Sequence, residues 1–241
     1  MKPVVYSNAA YRKRRKLFTQ HLQGFTSGLH CNKVASPCER FHLVVTPLEK
    51  GTDRYCVAEI QEVATQAILL TVYRNSGYFP FAWVDTQKAQ PGIMFCEDIY
   101  GYCYFQLNTR KYLMHFPEEG FVGTAFSPEN ISVVPKSPYV VMTGVLEGKK
   151  VLQVLSAVDR LSLPYKVVYE SPFPYEGFLG WEGRALRVYD YVYYRKTDGL
   201  PLTEIPGYKN IQLRPETFDR YVQLGTPLDV GEILTKRGIT I

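Results

Sequence analysis

At 241 residues the chain is long enough to bury a core without disulfide staples, as one domain or two small ones. Hydrophobic content of 46% and charged content of 21% exclude a disordered or fibrous chain. No run approaches the roughly 20 apolar residues of a membrane span. The start also lacks the apolar stretch of a signal peptide, so a reduced, cytoplasmic setting with no membrane partner is expected.

The net charge is local. Lys plus Arg is 28 and Asp plus Glu is 23, a net +5, and Arg12, Lys13, Arg14, Arg15 and Lys16 account for all of that excess. "AAYRKRRKLFTQ" predicts a helix. Asn8 can cap it, Ala9 and Ala10 open it, and Tyr11, Phe18 and Leu22 recur at helical spacing before Gly24. Five consecutive residues at about 100° each wrap more than one turn, so the cations cannot share a face. Cations in the first turns also oppose the helix dipole. Residues 1–24 are therefore expected to form a basic arm whose first turns stay outside the core. Such an arm suits nucleic-acid phosphates or an acidic protein partner. A solvated helix end is the alternative reading.

Residues 25–40 read as a loop, and "RFHLVVTP" as a strand. "YCVAEIQEVATQAILLTVYR" fits either period at its centre. Its β-branched end, and the alternation of Tyr55, Val57 and Glu59 with Cys56, Ala58 and Ile60, favour strands. From 77 to 145 the apolar runs "YFPFAWV", "GIMFCED", "GYCYFQLN", "KYLMHF", "ISVVP" and "YVVMTGVL" predict a meander or barrel-like sheet. In "EGKKVLQVLSAVDRL", Val151, Leu152, Val154, Leu155, Val158 and Leu161 fit an amphipathic helix. With "YVVMTGVL" before it and "YKVVYES" after it, a strand–helix–strand unit with parallel strands is expected. "EGRALRVYDYVYYRKTDG" alternates as a long strand. Pro215 suits the start of a helix in "PETFDRYVQLG", and Asp229 with Glu232 caps another in "DVGEILTKRG". The resulting fold class is α+β, with a β-rich first part and a mixed second part. Residues 25–241 form a single α+β domain, with a sub-boundary near 136 as the other option.

Chemistry has four candidate locations. Cys31 and Cys38, with His30 and His42 flanking them, offer thiolates and imidazoles of the kind zinc takes. Their six-residue gap departs from the usual tight knuckle, and reduced structural thiols are the competing reading. Cys96 and Cys103 fall on strands, where a thiol serves as a small core side chain. Gly144, Gly148, Lys149 and Lys150 in "MTGVLEGKK" would meet phosphate at a helix N-terminus, although the spacing is neither of the nucleotide-binding fingerprints. The acids Asp85, Glu97, Asp98 and Asp190 are the remaining candidates. Asp190 stands out because it lies between Val188 and Val192 on a strand face, where a lone carboxylate is costly. The other option is that this face is the solvated one. No nucleophile elbow is present, and His115 in "YLMHF" reads as a packed or rim residue.

Three functions follow in order. The first is a non-enzymatic binding or assembly protein, with Tyr-rich strands that make self-association feasible and the basic arm contacting nucleic acid or an acidic partner. The second is an enzyme acting on a nucleotide or nucleic acid near residues 143–150 and Asp190. The third is a zinc-stapled interaction module; in the first two readings no cofactor is needed.

Overall fold

A computed structural model describes residues 9–28, 31–84 and 91–239. The fold is mostly β, not α+β. Four small antiparallel sheets follow one another along the chain, with two α-helices among the described residues.

The first sheet holds β1 (Thr26–Ser27), β2 (Asn32–Ala35), β3 (Phe41–Lys50), β4 (Asp53–Glu62) and β5 (Ile68–Arg74). Two of its strands thus lie in the segment expected to be loop. The second sheet is β6 (Phe81–Val84), β7 (Gly92–Phe95), β8 (Tyr102–Gln106) and β9 (Lys111–His115), in chain order. The third is β10 (Ser127–Val133), β11 (Tyr139–Leu146), β12 (Lys149–Ser156) and β13 (Lys166–Pro172), again a simple meander. The helix α1 (Ala9–His21) precedes all three. Residues 1–133 and 137–172 form one compact unit. Short meanders stacked face to face in this way are propeller-like.

The second sheet is buried on both faces. Ile93, Phe95, Cys103, Phe105 and Tyr112 join Phe41, Leu43, Ile60 and Val72 of the first sheet in one core. Met94, Tyr104 and Leu113 point the other way and join Val140, Met142 and Leu155 of the third sheet. The alternation is the pleat itself, which sends neighbouring side chains to opposite faces. Each large side chain buried here stabilises the fold by about 1.5–3 kcal/mol.

Residues 134–136 and 173–241 form a second compact unit. Its sheet contains β14 (Gly177–Glu182), β15 (Ala185–Arg195), β16 (Phe218–Leu224) and β17 (Leu228–Asp229), followed by α2 (Val230–Lys236). Leu186, Val188, Val230 and Leu234 are fully buried. The Asp229 carboxylate accepts from the Glu232 backbone N–H at 2.8 Å, which is the cap expected for α2. Each unit carries one tryptophan, Trp83 in β6 and Trp181 in β14.

The strand–helix–strand unit is overturned. Residues 149–156 are a strand, paired antiparallel with β11 from Tyr139↔Ser156 to Leu146↔Lys149. Glu147 and Gly148 both take positive φ, 50° and 76°, and form the two-residue turn that closes such a hairpin. The helical look of Val151, Leu152, Val154 and Leu155 comes from a strand covered on both faces, where neither side needs to be polar. The helix expected after Pro215 is likewise absent. Phe218–Leu224 pairs with β15 along its whole length, from Arg195↔Phe218 to Tyr189↔Leu224.

Candidate functional site

The helix α1 is where the sequence predicts it, but its first turn is docked rather than projecting. Tyr11 is 2% exposed, and its ring lies 4.4 Å from that of Phe116. Tyr11, Arg15, Phe18 and Leu22 recur every three to four residues and make the inner face. Phe18 meets Tyr55 edge-on at 5.3 Å.

What this face docks on is acidic. The loop between β7 and β8 presents Glu97 and Asp98. The Tyr11 hydroxyl donates to Glu97 Oε1 at 2.8 Å. Arg15 donates through Nη1 to the Glu97 carbonyl at 3.0 Å and through Nη2 to the Tyr73 carbonyl, with its Nε 3.9 Å from the Glu97 carboxylate. Arg14 reaches Asp98 at 3.4 Å and lies over the Phe116 ring at 5.5 Å. Asp98 is 2% exposed and also accepts from Asn75 Nδ2 at 3.1 Å. Arg74, also buried, holds the loop's backbone by donating to the carbonyls of Cys96 at 2.8 Å and Asp98 at 2.6 Å. Burial pushes the Tyr11 hydroxyl far up, with Glu97 adding to it. Burial works against the Arg15 charge, yet Glu97, Tyr11 and Asp98 together outweigh it and the guanidinium is held more firmly charged.

The basic run therefore divides. Arg14 and Arg15 turn inward. Arg12, Lys13 and Lys16 are exposed, and no carboxylate pairs with them among the described residues. One and four residues apart, they share the outer side of the helix with Leu17.

The other sequence candidates do not converge. Gly148 lies in the hairpin turn, and residues 149–156 are strand, so the helix N-terminus that motivated phosphate binding at Gly144, Gly148, Lys149 and Lys150 is not there. Gly144 has a packing role: an added Cβ would lie 2.1 Å from the Ser127 carbonyl oxygen. Cys31 and Cys38 are exposed and His42 is half-buried. Among the described residues no group of three or more metal-ligating side chains converges, and His30 and Asp85 lie outside those residues. Cys56, Cys96 and Cys103 are buried. Burial pushes the Cys56 and Cys96 thiols up to about 12 and Cys103 well above its usual value. Asp190 is half-buried, on the same side of β15 as the buried Leu186 and Val188, and accepts from the Tyr191 backbone N–H at 2.8 Å.

A cavity of about 390 Å³ opens between the second and third sheets. Tyr102, His115, Glu119, Phe126, Gln153, Leu155 and Tyr165 are among its lining residues. Gly101 lets the chain pass close to β9: a Cβ there would lie 2.2 Å from the His115 carbonyl oxygen. Burial lowers the His115 imidazole, and Glu119 pulls it the other way. The sequence marked His115 as a packed or rim residue but gave no sign of the cavity, because its lining comes from six separate stretches of chain.

No family model matches the chain, and no curated protein matches it. Among solved structures, the chain is similar to one from a structural and mechanistic analysis of two prolyl endopeptidases. The TM-score is 0.39 at 12% identity, over 71% of this chain and 30% of that one. Among the described residues no helix is long and apolar enough to cross a membrane.

Proposed function

We propose that this is a non-enzymatic binding or assembly protein that meets an anionic partner, nucleic acid foremost, through the outer face of α1. The division of the basic run supports the reading. Two arginines clamp the helix to Glu97 and Asp98, and the clamp holds Arg12, Lys13 and Lys16 outward at fixed spacing. Cations on a docked helix lose less freedom on binding than cations on a loose tail, so their contacts are stronger for the same chemistry. The cytoplasm is the compartment that goes with this reading, and all five cysteines are free thiols.

The test is fluorescence anisotropy with mixed RNA and DNA oligonucleotides over a salt series. Three phosphate contacts give a slope of log K against log salt of roughly −2 to −3. The Arg12→Gln/Lys13→Gln/Lys16→Gln variant should lose the binding and its salt dependence while melting like the wild type. Binding that survives in this variant with an unchanged slope rejects the outer face as the contact.

A further inference from the structure

The cavity between the second and third sheets plays no part in that reading, and its chemistry is of the opposite sign. Its walls are apolar and aromatic. Tyr102 and Tyr165 stack at 5.6 Å, Tyr102 meets the His115 ring edge-on at 5.5 Å, and Phe126 and Leu155 extend the surface. Both tyrosines are locked, since the Tyr102 hydroxyl accepts from the Tyr165 backbone N–H at 2.6 Å and the Tyr165 hydroxyl donates to the Arg160 carbonyl at 2.9 Å. The wall is therefore preformed, as small-molecule sites usually are, and its volume lies in their range of about 300–1,000 Å³.

The charge in the lining is one-sided. Glu119 contributes a carboxylate, no Lys or Arg lines the cavity, and burial favours the neutral form of His115. The Gln153 amide nitrogen is already committed to Glu170 at 2.7 Å. An anion entering here would meet the Glu119 carboxylate with no Lys or Arg in the lining to offset it. A wholly neutral ligand would strip water from Glu119 without replacing it. A cation on an apolar body satisfies both the carboxylate and the aromatic wall, because aromatic rings attract cations.

We propose that this cavity binds an organic ammonium group, an alkylated amine carried on an apolar body, with Glu119 as counter-ion and Tyr102, Tyr165 and Phe126 as the aromatic wall. The same group can arrive on a free small molecule or on a lysine side chain of a peptide, and the experiment separates the two.

Isothermal titration is made with choline, with its uncharged carbon isostere 3,3-dimethylbutan-1-ol, and with a short peptide bearing one trimethylated lysine. The cation should bind at least about tenfold more tightly than the isostere, and Glu119→Gln should cost it about five- to tenfold. Val167→Trp, at a rim position that is 43% exposed, should block entry without touching the core. Binding of the peptide but not of choline assigns the cation to a macromolecule; binding of both assigns it to the ammonium group itself. The proposal fails if neither cation binds, if the isostere binds equally well, or if both variants bind like the wild type. Oligonucleotide binding by α1 is measured in parallel and should be unaffected by Glu119→Gln, so failure of one site does not pass for failure of the other.

Discussion

Two carboxylate-bearing places border the second sheet, and the fold treats them differently. At the β7–β8 loop, Glu97 and Asp98 are met by Tyr11, Arg14 and Arg15 from α1. Beyond β9, Glu119 borders a cavity whose lining includes no Lys or Arg. The difference follows from burial. Asp98 is 2% exposed and the Glu97 side chain 15%; a carboxylate buried that far is costly without partners, and the chain provides them. Glu119 is exposed at a rim and can wait in water. A filled acidic spot is structure; an open one beside an apolar wall is capacity for a ligand.

Breaking the filled spot should have the largest effect. Glu97→Ala removes the acceptor of the Tyr11 hydroxyl and leaves Arg15 buried without its paired carboxylate, a loss of about 3 kcal/mol in urea unfolding. Replacing both partners, Arg15→Met with Glu97→Met, should recover most of it, because an apolar pair leaves no charge stranded. Next comes Gly101→Ala, at the residue joining the two places. Its φ is 77° and its Cβ would strike the His115 carbonyl, so a loss of about 2 kcal/mol is expected in the same assay.

The open spot should respond to pH. Its imidazole, His115, titrates below the ordinary value of about 6.5, first because it is buried, with Glu119 opposing. The unfolded chain therefore takes up that proton at higher pH than the folded one. The contribution to stability is complete above about pH 6.5, declines as pH falls toward the lowered folded value, and levels off below it. Glu119→Gln removes the opposing pull and should widen that window in thermal melts from pH 7.5 to 5. The smallest effect belongs to the outer face of α1, where the triple glutamine variant should stay within about 0.5 kcal/mol of the wild type.

How much of this was legible in the sequence depended on whether one face or two were covered. β15 alternates, with Leu186 and Val188 buried and Arg187 exposed, and its strand could be read directly. β12 is covered on both sides, so its apolar residues carry no period of two and imitate a helix. The turn that corrects this reading, Glu147-Gly148, is a pair of residues whose left-handed backbone shows only in the structure. β16 was hidden by the long excursion between Arg195 and Phe218, which separates the two sides of its hairpin. The helix α1 was legible from Tyr11, Phe18 and Leu22. Its docking was not, because Glu97 and Asp98 lie more than eighty residues away in sequence. The cavity was invisible for the same reason.

The placement of the tryptophans gives the molecule a built-in optical assay. With Trp83 in β6 of one unit and Trp181 in β14 of the other, Trp83→Phe leaves fluorescence that reports the second unit alone, and Trp181→Phe leaves the first. Urea titrations of the two single-tryptophan proteins would coincide for a chain that unfolds as one cooperative block and separate for one that unfolds in two steps.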